Sequence, residues 1–170
     1  MAVVTSKGKT LKLVGNEVRV GDRAPEFQLR RGLSPDNAYT LATDAGKVRL
    51  INTVLSLDTG LCDRQTREFN ERATALSDQV IALTVSADLP PAQARWCGAA
   101  GIARVIAASD YYDHSFGRAY GIQVEEMGVP ARAIFVVDGS GKVTYREVVG
   151  DLAGNPDYDK AIAAAKAALR

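Results

Sequence analysis

Cys62 and Cys97 are the two residues in this chain with nucleophilic and redox chemistry to offer, and their settings differ. Cys62 closes the run Ser56-Leu57-Asp58-Thr59-Gly60-Leu61-Cys62, directly after the apolar stretch Val48 to Leu55 and directly before an amphipathic stretch. One thiol therefore sits where a strand hands over to a helix. The free backbone N–H groups of a helix start and the positive end of its dipole stabilise negative charge, and the thiolate, not the thiol, is the nucleophile. Thr59, three residues upstream, brings a hydroxyl close to the sulfur. Cys97 lies far downstream in Pro90-Pro91-Ala92-Gln93-Ala94-Arg95-Trp96-Cys97-Gly98, well beyond the reach of a redox Cys-x-x-Cys turn. The pattern predicts two separate thiols on two separate helices.

The elements that must position them follow from periodicity. Leu11, Leu13, Val18 and Val20 alternate with polar residues around Gly15-Asn16 and predict an amphipathic hairpin opening the chain, within residues 1–22. Val48 to Leu55 reads as a buried strand, followed by a helix from Cys62 to Leu76 with Phe69, Ala73 and Leu76 on one face. Gln79 to Ala87 repeats the buried-strand signature, and Pro90-Pro91 suits the first turn of a helix reaching Ala100. Arg104 to Ala108 is a third strand and Tyr112 to Tyr120 a short helix. Ala133 to Val137 and Lys142 to Val148 form an antiparallel hairpin across Asp138-Gly139-Ser140-Gly141. The last helix is predicted with Asn155 as N-cap and Pro156 at its first position, running alanine-rich to Leu169. The order β-α-β-α-β-α-β-β-α describes an α/β chain with a mixed central sheet flanked by helices on both faces, and a thioredoxin-like fold is its economical form.

Composition narrows the function classes. At 170 residues and 46% hydrophobic content the chain fits one domain, 1–170, with a core large enough to need neither disulfides nor metals. Lys plus Arg is 21 against 20 Asp plus Glu, with the signs mixed, so no basic stripe favours nucleic acid or anionic lipid. A small, nearly neutral substrate fits better. No charged segment followed by an apolar core opens the chain and no run of about 18 apolar residues occurs, so the expectation is a soluble, cytoplasmic protein with no membrane partner. Two cysteines are too few for a secreted disulfide framework.

Taken together, Ser56 to Asp63, Ser86-Ala87-Asp88-Leu89-Pro90 leading to Arg95-Trp96-Cys97-Gly98, Ala131-Arg132-Ala133 before a strand, and Gly21-Asp22-Arg23-Ala24-Pro25-Glu26-Phe27 resemble the bacterial thiol peroxidases, a branch of the atypical two-cysteine peroxiredoxins. The resemblance covers nearly the whole chain. It implies that Cys62 is the peroxidatic cysteine, attacking hydrogen peroxide or an organic hydroperoxide and becoming a sulfenic acid. Thr59 and Arg132 are then its hydrogen-bonding and cationic partners; arginine suits the task because it stays charged and offers fixed donors. Cys97 is implied as the resolving cysteine, closing an intramolecular disulfide that thioredoxin reduces, in a homodimer without metal or organic cofactor. The family's geometry further implies that the two sulfurs begin too far apart to bond; since a disulfide needs Cα atoms within about 7 Å, the resemblance implies that the first turn of the Cys62 helix and the Cys97 helix loosen in each cycle. One departure stands out: the family carries proline seven residues before the peroxidatic cysteine, and here that position is Leu55. Leucine still supplies apolar cover but adds an N–H that needs a partner, which implies a slower or reshaped site. Leu55 and Asp58 complete the substrate-side candidates.

Other readings of the same residues are less chemical. His114, the single histidine, sits among Asp110, Tyr111, Tyr112 and Asp113 as a surface or helix-start residue. The two cysteines and one histidine lack the close pairing of structural zinc. A redox sensor or binding protein, switching a Cys62–Cys97 disulfide with little turnover, is the rival of a different class.

Overall fold

The structure is a computed structural model and describes residues 1–169. Its strands are β1 (Val3–Ser6), β2 (Lys9–Val14), β3 (Leu29–Arg30), β4 (Ala38–Tyr39), β5 (Val48–Thr53), β6 (Val80–Ser86), β7 (Val105–Ser109), β8 (Gln123–Val124), β9 (Val129–Pro130), β10 (Ala133–Val137) and β11 (Val143–Val148); its helices are α1 (Gly60–Ala73), α2 (Pro90–Ala100), α3 (Ser115–Ala119) and α4 (Tyr158–Ala167). Seven strands form the main sheet in the order β11-β10-β5-β6-β7-β3-β4, and β1-β2-β8-β9 form a smaller one. The centre, β5-β6-β7, is parallel, and β10 and β11 add antiparallel strands at one side. All six residues of β5 are buried, which is why its sequence is nearly continuously apolar rather than alternating.

Alternation survives as a division between two cores. Val48 and Leu50 of β5 face one cluster with Phe69 and Ala73 of α1 and Ala161 and Ala165 of α4. Ile51 faces the other, where Phe27, Tyr39, Phe116 and Tyr120 meet, with the Phe116 and Tyr120 rings stacked 4.2 Å apart. Helices thus cover both faces of the sheet, as expected, and the carboxyl ends of β5 and β6 open toward the starts of α1 and α2.

Four local expectations are corrected. The opening hairpin turns at Lys7-Gly8, both at positive φ, and pairs Val3 with Lys12, rather than turning at Gly15-Asn16. Gly15 instead lies against the Arg118 carbonyl, where a Cβ would come within 2.1 Å, and Asn16 N–H donates to that carbonyl at 2.8 Å. Val18 is buried outside any strand and Val20 is 60% exposed. The Tyr112–Tyr120 helix is shortened to α3 because His114 takes a left-handed φ of 54° and Asp110 accepts from the Phe116 and Gly117 N–H groups. The helix from Cys62 runs from Gly60 to Ala73 rather than to Leu76, although Leu76 joins the same cluster. Asp157, not Asn155, caps α4 by accepting from Lys160 N–H at 3.0 Å, because Glu147 holds the Asp157 N–H and keeps that residue extended.

Candidate active site

Cys62 is the third residue of α1, whose N-cap is Thr59. The sulfur is sealed from solvent, 0% exposed, in a small apolar cluster with Val54 and Leu57, flanked by Leu55 and Trp96. The turn that delivers it is braced from β6: Asp88 accepts from Ser56 Oγ at 2.6 Å, from Leu57 N–H at 2.8 Å and from Ser86 Oγ at 2.6 Å. Gln93 of α2 joins by donating to Ser86 Oγ at 2.9 Å. This carboxylate replaces the missing regular hydrogen bonds of the strand-to-helix crossing.

Arg132 arrives from the other side. It sits between β9 and β10, and Thr53 clamps that loop to β5: its Oγ1 donates to the Ala131 carbonyl at 2.6 Å and accepts from the Ala133 N–H at 2.9 Å. Arg132 is buried, 2% exposed. Its Nη2 lies 3.5 Å from Cys62 Sγ, while Nε and Nη2 donate to the Leu152 carbonyl at 3.2 and 3.0 Å. Nη1 donates to Gln65 Oε1. Gln65, one turn along α1 from Cys62, donates in turn to Asn52 Oδ1, and Asn52 donates to Thr84 Oγ1 at 3.1 Å. A chain of neutral amides and hydroxyls therefore fixes the arginine fork without a carboxylate; among the described residues none lies within 4.0 Å of it.

An uncompensated buried cation costs several kcal/mol. Within contact of this one, the Cys62 sulfur is the group able to carry a negative charge. At 3.5 Å and an effective dielectric constant of about 20, the attraction between guanidinium and thiolate is roughly 4–5 kcal/mol, against at most about 2 kcal/mol for a helix start in a buried setting. The arginine, more than the helix, is what makes this an anion site.

The remaining candidates are placed as follows. Thr59 is exposed and its hydroxyl donates to the Ser56 carbonyl at 3.1 Å, not to the sulfur: the extended N-cap backbone turns Oγ1 back onto its own turn. Asp58 is exposed, with its N–H on Ser56 Oγ at 3.2 Å and its carboxylate in solvent. Leu55 is half-buried between the large aromatic core and the Cys62 cluster, and its N–H makes no hydrogen bond among the described residues. Cys97 is half-buried on α2 and faces a cavity lined by Arg31, Gln93 and Ile106. Burial pushes its thiol up from the ordinary cysteine value. Both thiols are free. Asn52, Thr53, Gln65 and the role of Asp88 were missed in the sequence; polar residues inside otherwise apolar patterns were the available signal.

The Redoxin family model matches residues 19–162. The chain belongs to the Redoxin family. Over 170 residues this Redoxin chain is 54% identical to the thiol peroxidase of Halalkalibacterium halodurans, covering 99% of this chain and 100% of that one. It is 49% identical to the thiol peroxidase of Bacillus subtilis over 100% of both. Among solved structures, a peroxiredoxin-like protein from Aquifex aeolicus matches with a TM-score of 0.89 at 35% identity, over 98% of this chain and 97% of that one. The thiol peroxidase from Chromobacterium violaceum matches with a TM-score of 0.77 at 21% identity, over 93% and 91%, which speaks to a shared fold alone.

Proposed function

We propose that this chain is a thiol-dependent peroxidase of hydrogen peroxide and organic hydroperoxides, with Cys62 peroxidatic, Cys97 resolving and thioredoxin as reductant. The observation that carries the reading is the buried Arg132 guanidinium, 3.5 Å from a buried sulfur and without a carboxylate of its own. The full-length similarity to thiol peroxidases supports it independently.

In the first step the Cys62 thiolate attacks one peroxide oxygen, the O–O bond breaks, and the departing alkoxide or hydroxide takes up a proton to leave as alcohol or water. Cys62 becomes a sulfenic acid. Arg132 donors are preorganised for the negative charge spreading over both oxygens. Thr59 assists by releasing the Ser56 carbonyl and turning its hydroxyl to the peroxide; Leu55 supplies apolar cover, and Asp58 stands at the solvent rim. Cys97 then displaces the sulfenic oxygen as water and forms the disulfide, which thioredoxin thiols reduce. The protein is read as a cytoplasmic homodimer with each site made within one subunit. No helix among the described residues is long and apolar enough to cross a membrane.

The test mixes reduced protein with cumene hydroperoxide, thioredoxin, its reductase and NADPH. Continuous NADPH loss is expected for the wild type and none for Cys62→Ser; Cys97→Ser should react once and stall. A single stoichiometric oxidation of the wild type without turnover would instead identify a redox sensor, and an unchanged Cys62→Ser would end the peroxidase reading.

A further inference from the structure

Each cysteine has a neighbour engaged in a contact that the chemistry above does not use. Asp63, directly after Cys62, accepts from the Trp96 indole Nε1–H at 2.9 Å, and Trp96 directly precedes Cys97. The same carboxylate holds Arg67 through Nε at 2.8 Å and Nη2 at 3.2 Å. Arg67 lies over the indole ring, 5.5 Å from its centroid, and reaches on to the Ala100 carbonyl at 3.3 Å, at the last residue of α2. The indole itself packs against the cluster that encloses Cys62.

We propose that Asp63 and Trp96 form a latch that holds the Cys97 helix closed against the Cys62 helix and so sets the lifetime of the Cys62 sulfenic acid. The proposal rests on the peroxidase reading and deepens it: these two are positioning residues for the resolving step. Successive helical residues point about 100° apart. While Trp96 is turned onto α1, Cys97 is therefore turned away from it, toward the cavity shared with Arg31 and Gln93. Bringing the sulfurs together requires α2 to rotate or unwind at this point, and the indole hydrogen bond has to break first.

Otherwise α2 packs on β7, and its carboxyl-terminal half meets that strand across the Cys97 cavity. Its buried residues are Pro90 and Gln93, both in the first turn; Leu89 caps it without a side-chain bond. Gly98 sits in the last turns with open space around it, and glycine weakens a helix interior. The carboxyl-terminal half, which carries Cys97, is thus tied down chiefly through Trp96 and the Arg67 reach to Ala100. Arg67 bonding holds the Asp63 carboxyl below the usual carboxylate range, with the indole N–H acting in the same direction, so the latch stays charged at neutral pH.

The Cys97 sulfur, having lost its proton, attacks the Cys62 sulfur; the S–O bond breaks and hydroxide leaves, taking up that proton as water. Until α2 opens, the sulfenic acid persists and a second peroxide can oxidise it to sulfinic acid. A tighter latch therefore exposes Cys62 to over-oxidation for longer, and a looser one shortens that exposure.

The experiment mixes the reduced full-length chain with a several-fold excess of hydrogen peroxide, quenches at intervals, and counts sulfenic acid, disulfide and sulfinic acid by mass spectrometry. Trp96→Phe, which keeps the ring and loses the donor, and Asp63→Ala should each form the disulfide roughly fivefold faster than wild type, with less sulfinic acid, as expected for one charge-assisted bond at a partly exposed site. Asp63→Asn, retaining an oxygen acceptor, should fall between. The double variant Asp63→Ala/Trp96→Phe should be no faster than Asp63→Ala alone, because the indole bond is already absent there. Resolution unchanged or slower in the single variants, or multiplying in the double, would overturn the latch. The first oxidation is read separately in Cys97→Ser: absence of sulfenic acid there would remove the peroxidase reading itself. The latch is then still decided by the alkylation rate of Cys97, which should rise in Trp96→Phe and, if unchanged, overturns the proposal on its own.

Discussion

A guanidinium sealed from water must be held by something, and the choice of what holds Arg132 defines the chemistry. Gln65, the Leu152 carbonyl and the sulfur take its donors. A carboxylate in the place of Gln65 would neutralise the arginine and weaken its pull on the thiolate, whereas an amide orients the fork and leaves its charge for the sulfur. The expected consequence is a graded loss. Arg132→Lys, which keeps a charge but loses the planar fork, should slow the first oxidation by about 100-fold, the order seen on removing one preorganised donor. Gln65→Leu should slow it less, because charge remains and only orientation is lost. Stopped-flow measurement of the first oxidation in a Cys97→Ser background separates the two, and a Gln65→Leu loss as large as that of Arg132→Lys would show that orientation, not charge, dominates.

The elements that carry these residues were partly legible before folding. The strand-turn-helix around Cys62 was readable because β5 is buried on both faces and therefore apolar throughout, and because the spacing of Phe69 and Ala73 marks one face of α1. The two-residue strands β3, β4, β8 and β9 carry no periodicity to read. The Gly15 turn and the Asn155 cap failed for a shared reason: in each case a distant partner, the Arg118 carbonyl or the Glu147 carboxylate, decided between two local signals of similar strength. Gln65 and Asn52 were hidden because a buried amide is recognisable only once its partner is known. Helix α2 spans Pro90 to Ala100, as its paired prolines predict, and its chemistry follows from burial of Cys97. Desolvation raises that thiol above its ordinary value of 9.0, so the native helix favours the protonated form. The sign is that of an acid with a raised folded value: its contribution to holding α2 is complete below pH 9, and is lost as pH rises from there through the raised value. Disulfide formation from the sulfenic acid should accordingly accelerate with pH through and beyond the ordinary thiol range, measured by quenched mass spectrometry after one equivalent of peroxide. A flat profile would mean that Cys97 is already ionised when α2 opens.

At the scale of the whole molecule, the two cysteines sit at the edge of a structure whose interior has no need to move. β5, β6 and β10 are buried between two cores, and Thr53, Asn52 and Thr84 tie the arginine to those strands. The half of the site that stabilises charge therefore belongs to the rigid sheet, and the half that must travel belongs to the first turn of α1 and to α2. Such a division lets a disulfide form without dismantling Arg132, since mobile functional segments are drawn from the least stable part of a fold. Amide hydrogen exchange on the reduced and oxidised protein should reveal it: oxidation should speed exchange for residues 60–64 and 90–100, while β5, β6 and β10 keep their protection. If the central strands lose protection as well, resolution proceeds through opening of the sheet, and a fixed charged cradle beside a moving thiol is the wrong division of labour.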